Sequence, residues 1–279
     1  ELNTLLQGGI GEGDLGLFFG GPGSGKSWSL VAIGSHAIKL GYNVLHYTLE
    51  LGDDYMGRRY DSHLSQIPVQ DVLSNKETVE AAISPLTGRL IIKEYPMGKT
   101  HINSIESHIK KCIELDFKPD LIIIDYIDLL KSKRKGGDRK EEIDDIYVST
   151  KGLAKQLKLP IWSVSQVNRA GAKDNVVEGD KAAGSYEKMA IADMSISLSR
   201  KKEDKVNGTG RFHIMKNRYG EDGMTYNVSI DTSMGNFEIL GKYEDDDELP
   251  EGNNTYKSNG TINNLERTKL KQKFYELSN

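Results

Sequence analysis

The sequence predicts an α/β fold, in which a mostly parallel twisted sheet is flanked by helices and extended by antiparallel hairpin strands toward the C-terminus. Up to Ile191, short β-branched runs alternate with longer amphipathic stretches, a pattern typical of strands and helices around a parallel sheet. From Ile191 onward, short strands are separated by Gly- and Asn-rich turns, which is typical of hairpins. We expect these later strands to extend the same sheet and not to form a separate domain.

The alternation assigns the elements in chain order. Strands of the parallel part are predicted at Leu15–Phe19, Asn43–Leu49, Leu90–Lys93, Leu121–Asp125 and Pro160–Ser165. Helices are predicted at Lys26–Leu40, Tyr55–Ser65, Ile102–Leu115 and Glu141–Leu157. Hairpin strands are predicted at Met194–Leu198, Arg211–Met215, Thr225–Ile230 and Asn236–Leu240. The first helix is expected to stop before Gly41, because glycine is favoured just beyond a helix end.

The chain divides by composition into one large domain and a polar C-terminal part. Residues 1–242 carry the strand and helix patterns and are expected to form one domain. Residues 243–260 include an acidic run followed by Gly and Asn, which predicts a flexible solvated linker. Residues 261–279 form a tail whose apolar residues between Ile262 and Leu277 predict a short helix.

Composition excludes several classes of protein. The net charge of −4 argues against a surface coated with basic residues for duplex DNA, although a local basic path stays compatible with it. No apolar run is long enough to span a membrane, and no signal segment opens the chain. The first residue is Glu1 and not Met, which leaves open a longer protein with a further N-terminal domain.

Cysteine and histidine usage argues against structural metal sites and cross-links. Cys112 is the single cysteine, so internal disulfides and a cysteine-rich zinc site are excluded. It falls in a helical pattern and is expected to be a buried, reduced core thiol. The six histidines lack metal-ligand spacing, and no structural metal is predicted.

The strongest motif is a glycine-rich run between the first predicted strand and the first predicted helix. It matches the phosphate-binding P-loop pattern in full. With the residue that follows it, it forms the predicted nucleotide-binding set: Gly20, Gly21, Pro22, Gly23, Ser24, Gly25, Lys26, Ser27 and Trp28. Glycines let backbone N–H groups turn inward around the β-phosphate, and the helix start adds the positive end of its dipole. The alternative is a chance Gly-rich turn, which the strand–loop–helix context disfavours.

Two residues of the run and one acid elsewhere predict an ATP and Mg²⁺ site. Lys26 is expected to reach the β- and γ-phosphates, and the Ser27 hydroxyl is expected to bind Mg²⁺. Asp125 ends a buried apolar strand and is the predicted carboxylate partner of the metal. Asp128 is a weaker candidate for that role. An aspartate at a strand end also occurs as a helix N-cap, which is the alternative for Asp125.

Several segments resemble the RecA-like domain of DnaB-type hexameric replicative DNA helicases, particularly the phage versions. They extend from Leu2 to about Ile239 and include Leu2–Ile10, Thr48–Leu51, Asp125–Leu129, Gly152–Pro160 and Ser163–Arg169. The resemblance implies a RecA-like P-loop NTPase that hydrolyses ATP with Mg²⁺ as a homo-hexameric ring, moves on single-stranded DNA and unwinds duplex DNA. It also implies a cytoplasmic protein of a bacterium or a phage-infected host, with a primase or a helicase loader as further partners.

The resemblance implies catalytic roles beside that of Lys26. Glu50 follows the strand that begins at His46 and would be the general base that orients water toward the γ-phosphate. Taken alone, it would be an ordinary surface glutamate. Gln166 would sense the γ-phosphate through its amide, which can donate to phosphate and accept from water. Taken alone, it would be a surface group at a strand end.

A late basic run resembles the family's basic-x-Arg-x-Gly signature. In the run Lys216–Gly220, Arg218 would act as an arginine finger that reaches the γ-phosphate bound by the next subunit, and Lys216 would assist it. The alternative is a solvated basic turn. If the finger is real, the active site is shared between subunits.

Two segments are predicted to face DNA. The first follows the Asp125 strand, and its charge on a glycine loop suits phosphate contact, although ordinary solvated charge explains it equally well. The second follows the strand that ends at Gln166, and the resemblance implies that it grips the DNA backbone. Ala182 departs from the acidic residue usual in the family, which puts the details of this grip in doubt. The predicted DNA-binding residues are Lys131, Lys133, Arg134, Lys135, Arg169, Lys181 and Gly184.

Two other functions stay open at this point. A RecA-type strand-exchange recombinase would share the P-loop, the Asp125 strand and the glutamate base. A KaiC-like regulatory ATPase would share the glycine-rich run, but the basic segment Lys131–Lys135 would then have no evident purpose. The runs Lys216–Gly220 and Ser165–Arg169 favour the helicase.

Overall fold

The computed structural model describes residues 8–134, 138–167, 176 and 186–243. Residues 1–244 cluster into one compact unit and residues 245–279 into a second. The predicted linker from Glu244 onward and the predicted tail at 261–279 lie outside the described residues. The domain boundaries therefore stay predictions.

The described part consists of strands β1 to β9 and helices α1 to α7. The strands are β1 (Leu15–Gly20), β2 (Val44–Thr48), β3 (Leu90–Glu94), β4 (Leu121–Asp125), β5 (Ile161–Gln166), β6 (Met194–Ser199), β7 (Thr209–Asn217), β8 (Thr225–Asp231) and β9 (Asn236–Lys242). The helices are α1 (Lys26–Lys39), α2 (Asp53–Ser65), α3 (Lys76–Ile83), α4 (Ile102–Glu114), α5 (Arg139–Leu157), α6 (Tyr186–Ile191) and α7 (Lys202–Asn207). Short 3₁₀ turns lie at Val72–Ser74 and Ile127–Leu129.

The nine described strands belong to one mixed sheet in the order β3-β2-β4-β5-β1-β6-β7-β8-β9. The pairs from β3 across to β6 are parallel, and the pairs from β6 to β9 are antiparallel. This confirms the predicted α/β fold with a parallel sheet extended by C-terminal hairpins. The parallel strands need crossovers, which α1 to α6 supply, whereas short turns suffice for the hairpins.

The centre of the sheet is buried on both faces. Every residue of β1, β2, β4 and β6 is buried, as near-continuous apolar strands predict. One apolar cluster contains Tyr47, Tyr147 and the helix α4 residues, and the other contains Trp28, Trp162 and the hairpin residues. At Gly16 an added Cβ would lie 2.6 Å from the Trp162 ring, so this position needs glycine. Cys112 is buried, as predicted.

The element predictions differ from the structure mainly at short helices. The predicted strands and long helices are present with ends shifted by a few residues, and Gly41 follows α1 with a positive φ of 89°, which confirms the expected stop. Helices α3, α6 and α7 were missed. Helices α6 and α7 have six residues each, too short for a helical period to show. Among the described residues, no helix is long and apolar enough to cross a membrane.

Candidate nucleotide-binding site

Four parallel strands end at one side of the sheet, which we call the nucleotide edge. In register, Gly20 of β1 lies beside Gln166 of β5, and Thr48 of β2 lies beside Asp125 of β4. Glu50 follows β2 by two residues. Since ligands of open α/β sheets bind outside the carboxyl ends of the strands, the predicted site residues from separate parts of the chain come together there.

The glycine-rich run forms a tight cradle at the end of β1. Gly23 and Gly25 have positive φ values of 67° and 107°, and Gly25 is the N-cap of α1. An added Cβ at Gly20 would lie 2.6 Å from both the Leu198 carbonyl oxygen and the Ser24 Oγ. Only glycine fits these positions without strain, so the backbone N–H groups are free to face a ligand at the start of α1.

Lys26 lies in this cradle, and its charge is partly desolvated. Its Nζ donates a hydrogen bond of 2.8 Å to the Gly21 carbonyl oxygen, and its side chain is buried. Burial lowers the pKa of Lys26 to about 8, although the charges of Asp125 and Glu50 oppose the shift. A polyanion would restore the favourable environment that the ammonium lacks.

Asp125 is a fully buried acid at the end of β4. Burial raises the pKa of the Asp125 carboxyl to about 6, while the neighbouring Ser27 hydroxyl favours the ionised form. Within the described residues, neither carboxylate oxygen accepts a hydrogen bond of ordinary geometry. Buried polar atoms without partners are rare in proteins and suggest a missing ligand.

Glu50 and Gln166 line the same cleft, whose volume is about 470 Å³. Glu50 is exposed, and its charge raises the pKa of the Asp125 carboxyl, which places the two acids close together. Gln166 is also exposed, and its Nε2 donates a 3.3 Å hydrogen bond to the Tyr126 hydroxyl. Both side chains are therefore free to contact a ligand and water.

Trp28 has a mixed role. It is buried, and an added Cβ at Gly235 would lie 2.1 Å from its ring, so one face of the indole packs into the core beneath the hairpins. Trp28 also lines the cleft, and the Arg59 guanidinium stacks over it at 4.9 Å. That Trp28 contacts the nucleotide stays a prediction.

Sequence reasoning missed three basic residues that line the cleft: Arg59, Arg200 and Lys205. Arg59 comes from α2, and its Nε and Nη1 are buried without hydrogen-bond partners in the described part of the chain. Lys205 comes from α7, and its Nζ donates to the Pro22 carbonyl oxygen at 3.4 Å. None belongs to a motif, and only the fold brings them to the P-loop.

Asp128, the weaker metal candidate, is engaged elsewhere. Its carboxylate forms an ion pair with the Lys188 ammonium and accepts a 3.0 Å hydrogen bond from the Tyr147 hydroxyl. Because these contacts satisfy both oxygens, Asp128 is not available as the metal carboxylate, and Asp125 is the better candidate.

Lys216 and Arg218 lie on the opposite side of the sheet from the cleft. Strand β7 runs antiparallel to β6, so its end lies where β1 and β6 begin. The Lys216 Nζ donates to the carbonyl oxygens of Met189 and Ala190 at 3.0 and 2.8 Å. The Arg218 Nε lies 2.9 Å from Asp193 Oδ1. Neither basic residue is among the described residues that line the cleft of its own chain.

The first predicted DNA segment is partly described. Lys131, Lys133 and Arg134 are exposed. The backbone is held by the Asp145 carboxylate, which accepts from Ser132 Oγ at 2.7 Å and from the Lys133 N–H at 3.2 Å. The charged side chains thus project from an anchored turn. The predicted DNA-binding residues Lys135, Arg169, Lys181 and Gly184 lie outside the described residues.

The parallel sheet, the glycine cradle and the acids at neighbouring strand ends define a P-loop nucleotide-binding protein with a RecA-like fold. Residues 1–238 match the family model described as "DnaB-like helicase C terminal domain". The chain therefore belongs to this family, which uses nucleotide. The match favours neither the recombinase nor the regulatory ATPase.

Curated relatives agree with this family. The chain is 25% identical to the "DnaB-like replicative helicase" of Enterobacteria phage T4 over 251 residues, covering 84% of this chain and 52% of that protein. It is 27% identical to the "Replicative DNA helicase DnaB" of Mycoplasma genitalium over 253 residues, covering 82% and 53%. This chain thus spans about half the length of these relatives.

Two solved structures share the fold. One, whose title describes it as an ATPase domain, superposes with a TM-score of 0.71 at 20% identity and covers 83% of this chain and 86% of that one. "The Structure Of A DnaB-Like Replicative Helicase And Its Interactions With Primase" gives a TM-score of 0.70 at 19% identity, covering 81% and 57%. At this identity the likeness shows the fold.

Proposed function

We propose that this chain is the ATP-hydrolysing motor domain of a replicative DNA helicase, active as a homo-hexameric ring. One observation carries the proposal. Lys26, Ser27, Glu50, Asp125 and Gln166 converge at the nucleotide edge, whereas Arg218 lies at the opposite side of the sheet. Such a chain holds one part of a catalytic site on each of two faces, which suits a ring of identical subunits.

ATP with Mg²⁺ fits the residues at the nucleotide edge. The buried Asp125 oxygens without hydrogen-bond partners among the described residues, together with the Ser27 hydroxyl, form the all-oxygen donor set that Mg²⁺ prefers. The cradle and Lys26 suit the phosphates. When bound, the ion neutralises charge that develops on the phosphate oxygens during cleavage.

The side chains at the edge divide the chemistry among them. Lys26 holds the β- and γ-phosphates by charge, and burial strengthens that attraction. Glu50, as general base, orients a water toward the γ-phosphorus and takes its proton. Gln166 contacts the γ-phosphate and reports its loss to the segment that follows β5. Arg218 of a neighbouring copy, assisted by Lys216, stabilises the charge on the transferred phosphoryl group.

Single-stranded DNA is the proposed track. Lys131, Lys133 and Arg134 project from the end of β4, next to the nucleotide edge, and their charge suits the phosphate backbone. Lys135, Arg169, Lys181 and Gly184 are proposed to join them. Backbone contacts without base stacking give binding without sequence preference.

Partners, location and domain limits extend the proposal. A primase or a helicase loader is proposed as a further partner, and one structural neighbour is titled for its interactions with primase. The proposed location is the cytoplasm of a bacterium or a phage-infected host. Residues 1–242 would form the motor, 243–260 an acidic linker and 261–279 a tail with a short helix.

A subunit-mixing experiment tests the shared site. Arg218→Ala and Lys26→Ala proteins are each expected to lose ATP turnover and fork unwinding, and Arg218→Ala is expected to keep nucleotide binding. An equal mixture regains complete sites where an intact cradle faces an intact arginine, at about a quarter of the interfaces in rings that mix at random. Normal hydrolysis by Arg218→Ala alone would show that the site is not shared.

The controls separate mixing from protein damage. Lys242→Ala, a substitution of an exposed basic residue on β9, should keep full turnover alone. Mixing it with Lys26→Ala tests whether a Lys26→Ala subunit poisons a ring. Omitting single-stranded DNA from each reaction tests the proposed track, because turnover that ignores DNA would contradict a DNA motor.

A further inference from the structure

Asp193 is a buried acid that no sequence motif singled out. It lies between α6 and β6, and its side chain is 2% exposed. Around it, at the side of the sheet opposite the nucleotide edge, lie Asp14, Lys151, Arg218 and Tyr219. We call these five residues the opposite-edge cluster.

Asp193 holds Arg218 at two points. Its Oδ1 lies 2.9 Å from the Arg218 Nε, and its backbone carbonyl oxygen accepts from the Arg218 N–H at 2.9 Å. The Arg218 side chain is 52% exposed. A contact through Nε grips the guanidinium on the side nearest its own chain, and the exposed half is left for another molecule.

The second oxygen of Asp193 is fixed independently of Arg218. Asp193 Oδ2 accepts from the Leu15 N–H at 2.8 Å and pairs with the Lys151 ammonium. Lys151 also donates to the Gly13 carbonyl oxygen at 2.7 Å. The carboxylate therefore cannot rotate without breaking contacts to β1 and α5, and its position does not depend on where Arg218 points.

The cluster also balances charge. Two acids, Asp14 and Asp193, face two bases, Lys151 and Arg218. Asp14 Oδ1 lies 3.5 Å from the Lys151 Nζ and accepts from the Tyr219 hydroxyl at 2.7 Å. Because Lys151 neutralises much of the Asp193 charge, Arg218 keeps its attraction for an external anion. A lone acid would cancel that attraction.

We infer that Asp193 is a positioning residue for Arg218: it holds the guanidinium pointing away from its own chain, ready for nucleotide bound by a neighbouring copy. This inference rests on the proposed shared site and adds a residue to it. Arginine has many rotamers. Fixing one of them before the neighbour arrives removes an entropic cost from the step in which Arg218 acts.

Asp193→Asn tests the inference, because an amide cannot accept hydrogen bonds at both of its ends. Turnover by the full chain with single-stranded DNA is expected to fall about 10- to 100-fold. Binding of a fluorescent ATP analogue should change less than about twofold, because the cradle lies at the other edge. Asp120→Asn is the matched control, since Asp120 lies at the start of β4 and accepts from the Asn43 N–H, away from Arg218. It should keep wild-type turnover.

A double-mutant cycle separates positioning from damage. If Asp193 acts through Arg218, Asp193→Asn causes no further loss in the Arg218→Ala background. Losses that multiply, or wild-type turnover in Asp193→Asn, would overturn the inference. If Asp193→Asn does not fold, Asp193→Glu, which keeps the charge and displaces the carboxylate, replaces it in the same cycle. Wild-type turnover in Arg218→Ala would instead refute the shared site and leave the contact structural.

Discussion

The Lys188 ammonium lies between two elements of the nucleotide edge: it pairs with the Asp128 carboxylate and donates to Ser165 Oγ at 2.9 Å. Ser165 directly precedes Gln166 in β5. Lys188 belongs to α6, so this helix is tied to the strand that ends in the proposed sensor. The Lys188 and Asp128 side chains are only 12% and 13% exposed, and breaking the pair leaves a buried charge without its partner.

We therefore expect Lys188→Met to lower the free energy of unfolding by about 3 kcal/mol, in the range found for removal of one partner of a buried pair. Urea denaturation followed by circular dichroism measures this. Lys140→Met is the control, because it breaks the exposed Lys140–Glu187 pair between the same two helices. Its denaturation midpoint should match the wild type, and equal losses in both variants would contradict the assigned difference.

Asp125→Asn is expected to stabilise the ligand-free protein while it abolishes ATP turnover. The folded-state pKa of Asp125, about 6, lies above its ordinary value of 3.8, so ionisation costs stability as pH rises from about 4 to 6. At pH 7 the neutral amide should add about 1–3 kcal/mol to the free energy of unfolding. At about pH 3 the difference from the wild type should shrink. Equal stability at both pH values would show that the Asp125 charge carries no such cost.

The pH dependence of nucleotide binding should report Lys26. Its pKa in the free protein is about 8, so the ammonium loses its proton as pH rises above that value, and the affinity for ATP should fall about tenfold per pH unit at most. Titration of a fluorescent ATP analogue without metal, between about pH 6 and 10, measures this. Lys26→Met should bind weakly throughout and lose the pH dependence. Retention of the dependence in that variant would assign it to another group.

Gly34→Ala should destabilise the protein through overpacking. An added Cβ in α1 would lie 2.2 Å from the Tyr60 hydroxyl oxygen, which is buried and lies 2.8 Å from His46 Nδ1. A loss of about 1–3 kcal/mol in the free energy of unfolding is expected. In the exposed helix interior at Gly152, where an added Cβ meets nothing within 4 Å, the same substitution should stabilise by about 0.5–1 kcal/mol. Thermal melts of the two variants should move in opposite directions.

Much of the fold was predictable because its strands are unusually uniform. The run Leu121–Asp125 reads as a buried parallel strand and is one. The P-loop is a local motif, so its conformation follows from a few glycines. Strand β7 extends beyond the predicted Arg211–Met215, because Gly210 packs closely: an added Cβ there would lie 2.7 Å from Ile230. A glycine chosen for tight packing looks like a turn in the sequence.

The rest of the site depended on tertiary structure. Arg59 and Lys205 reach the cleft from α2 and α7, and no spacing in the sequence relates them to the P-loop. Asp128 looked like a metal carboxylate by proximity to Asp125, but its partner Lys188 comes from 60 residues later in the chain. Asp193 is a single acid before a strand, and its contacts to Leu15, Lys151 and Arg218 exist only once the sheet is assembled.

The separation of the cradle from Arg218 across the sheet has a consequence for counting. A solitary molecule owns two halves that never meet, so its hydrolysis rate should vanish on dilution. An open row of copies wastes the cradle at one terminus and the arginine at the other, whereas closure into a circle recovers both. Each added copy raises fuel consumption by one unit, and the final closing contact raises it once more without adding any protein.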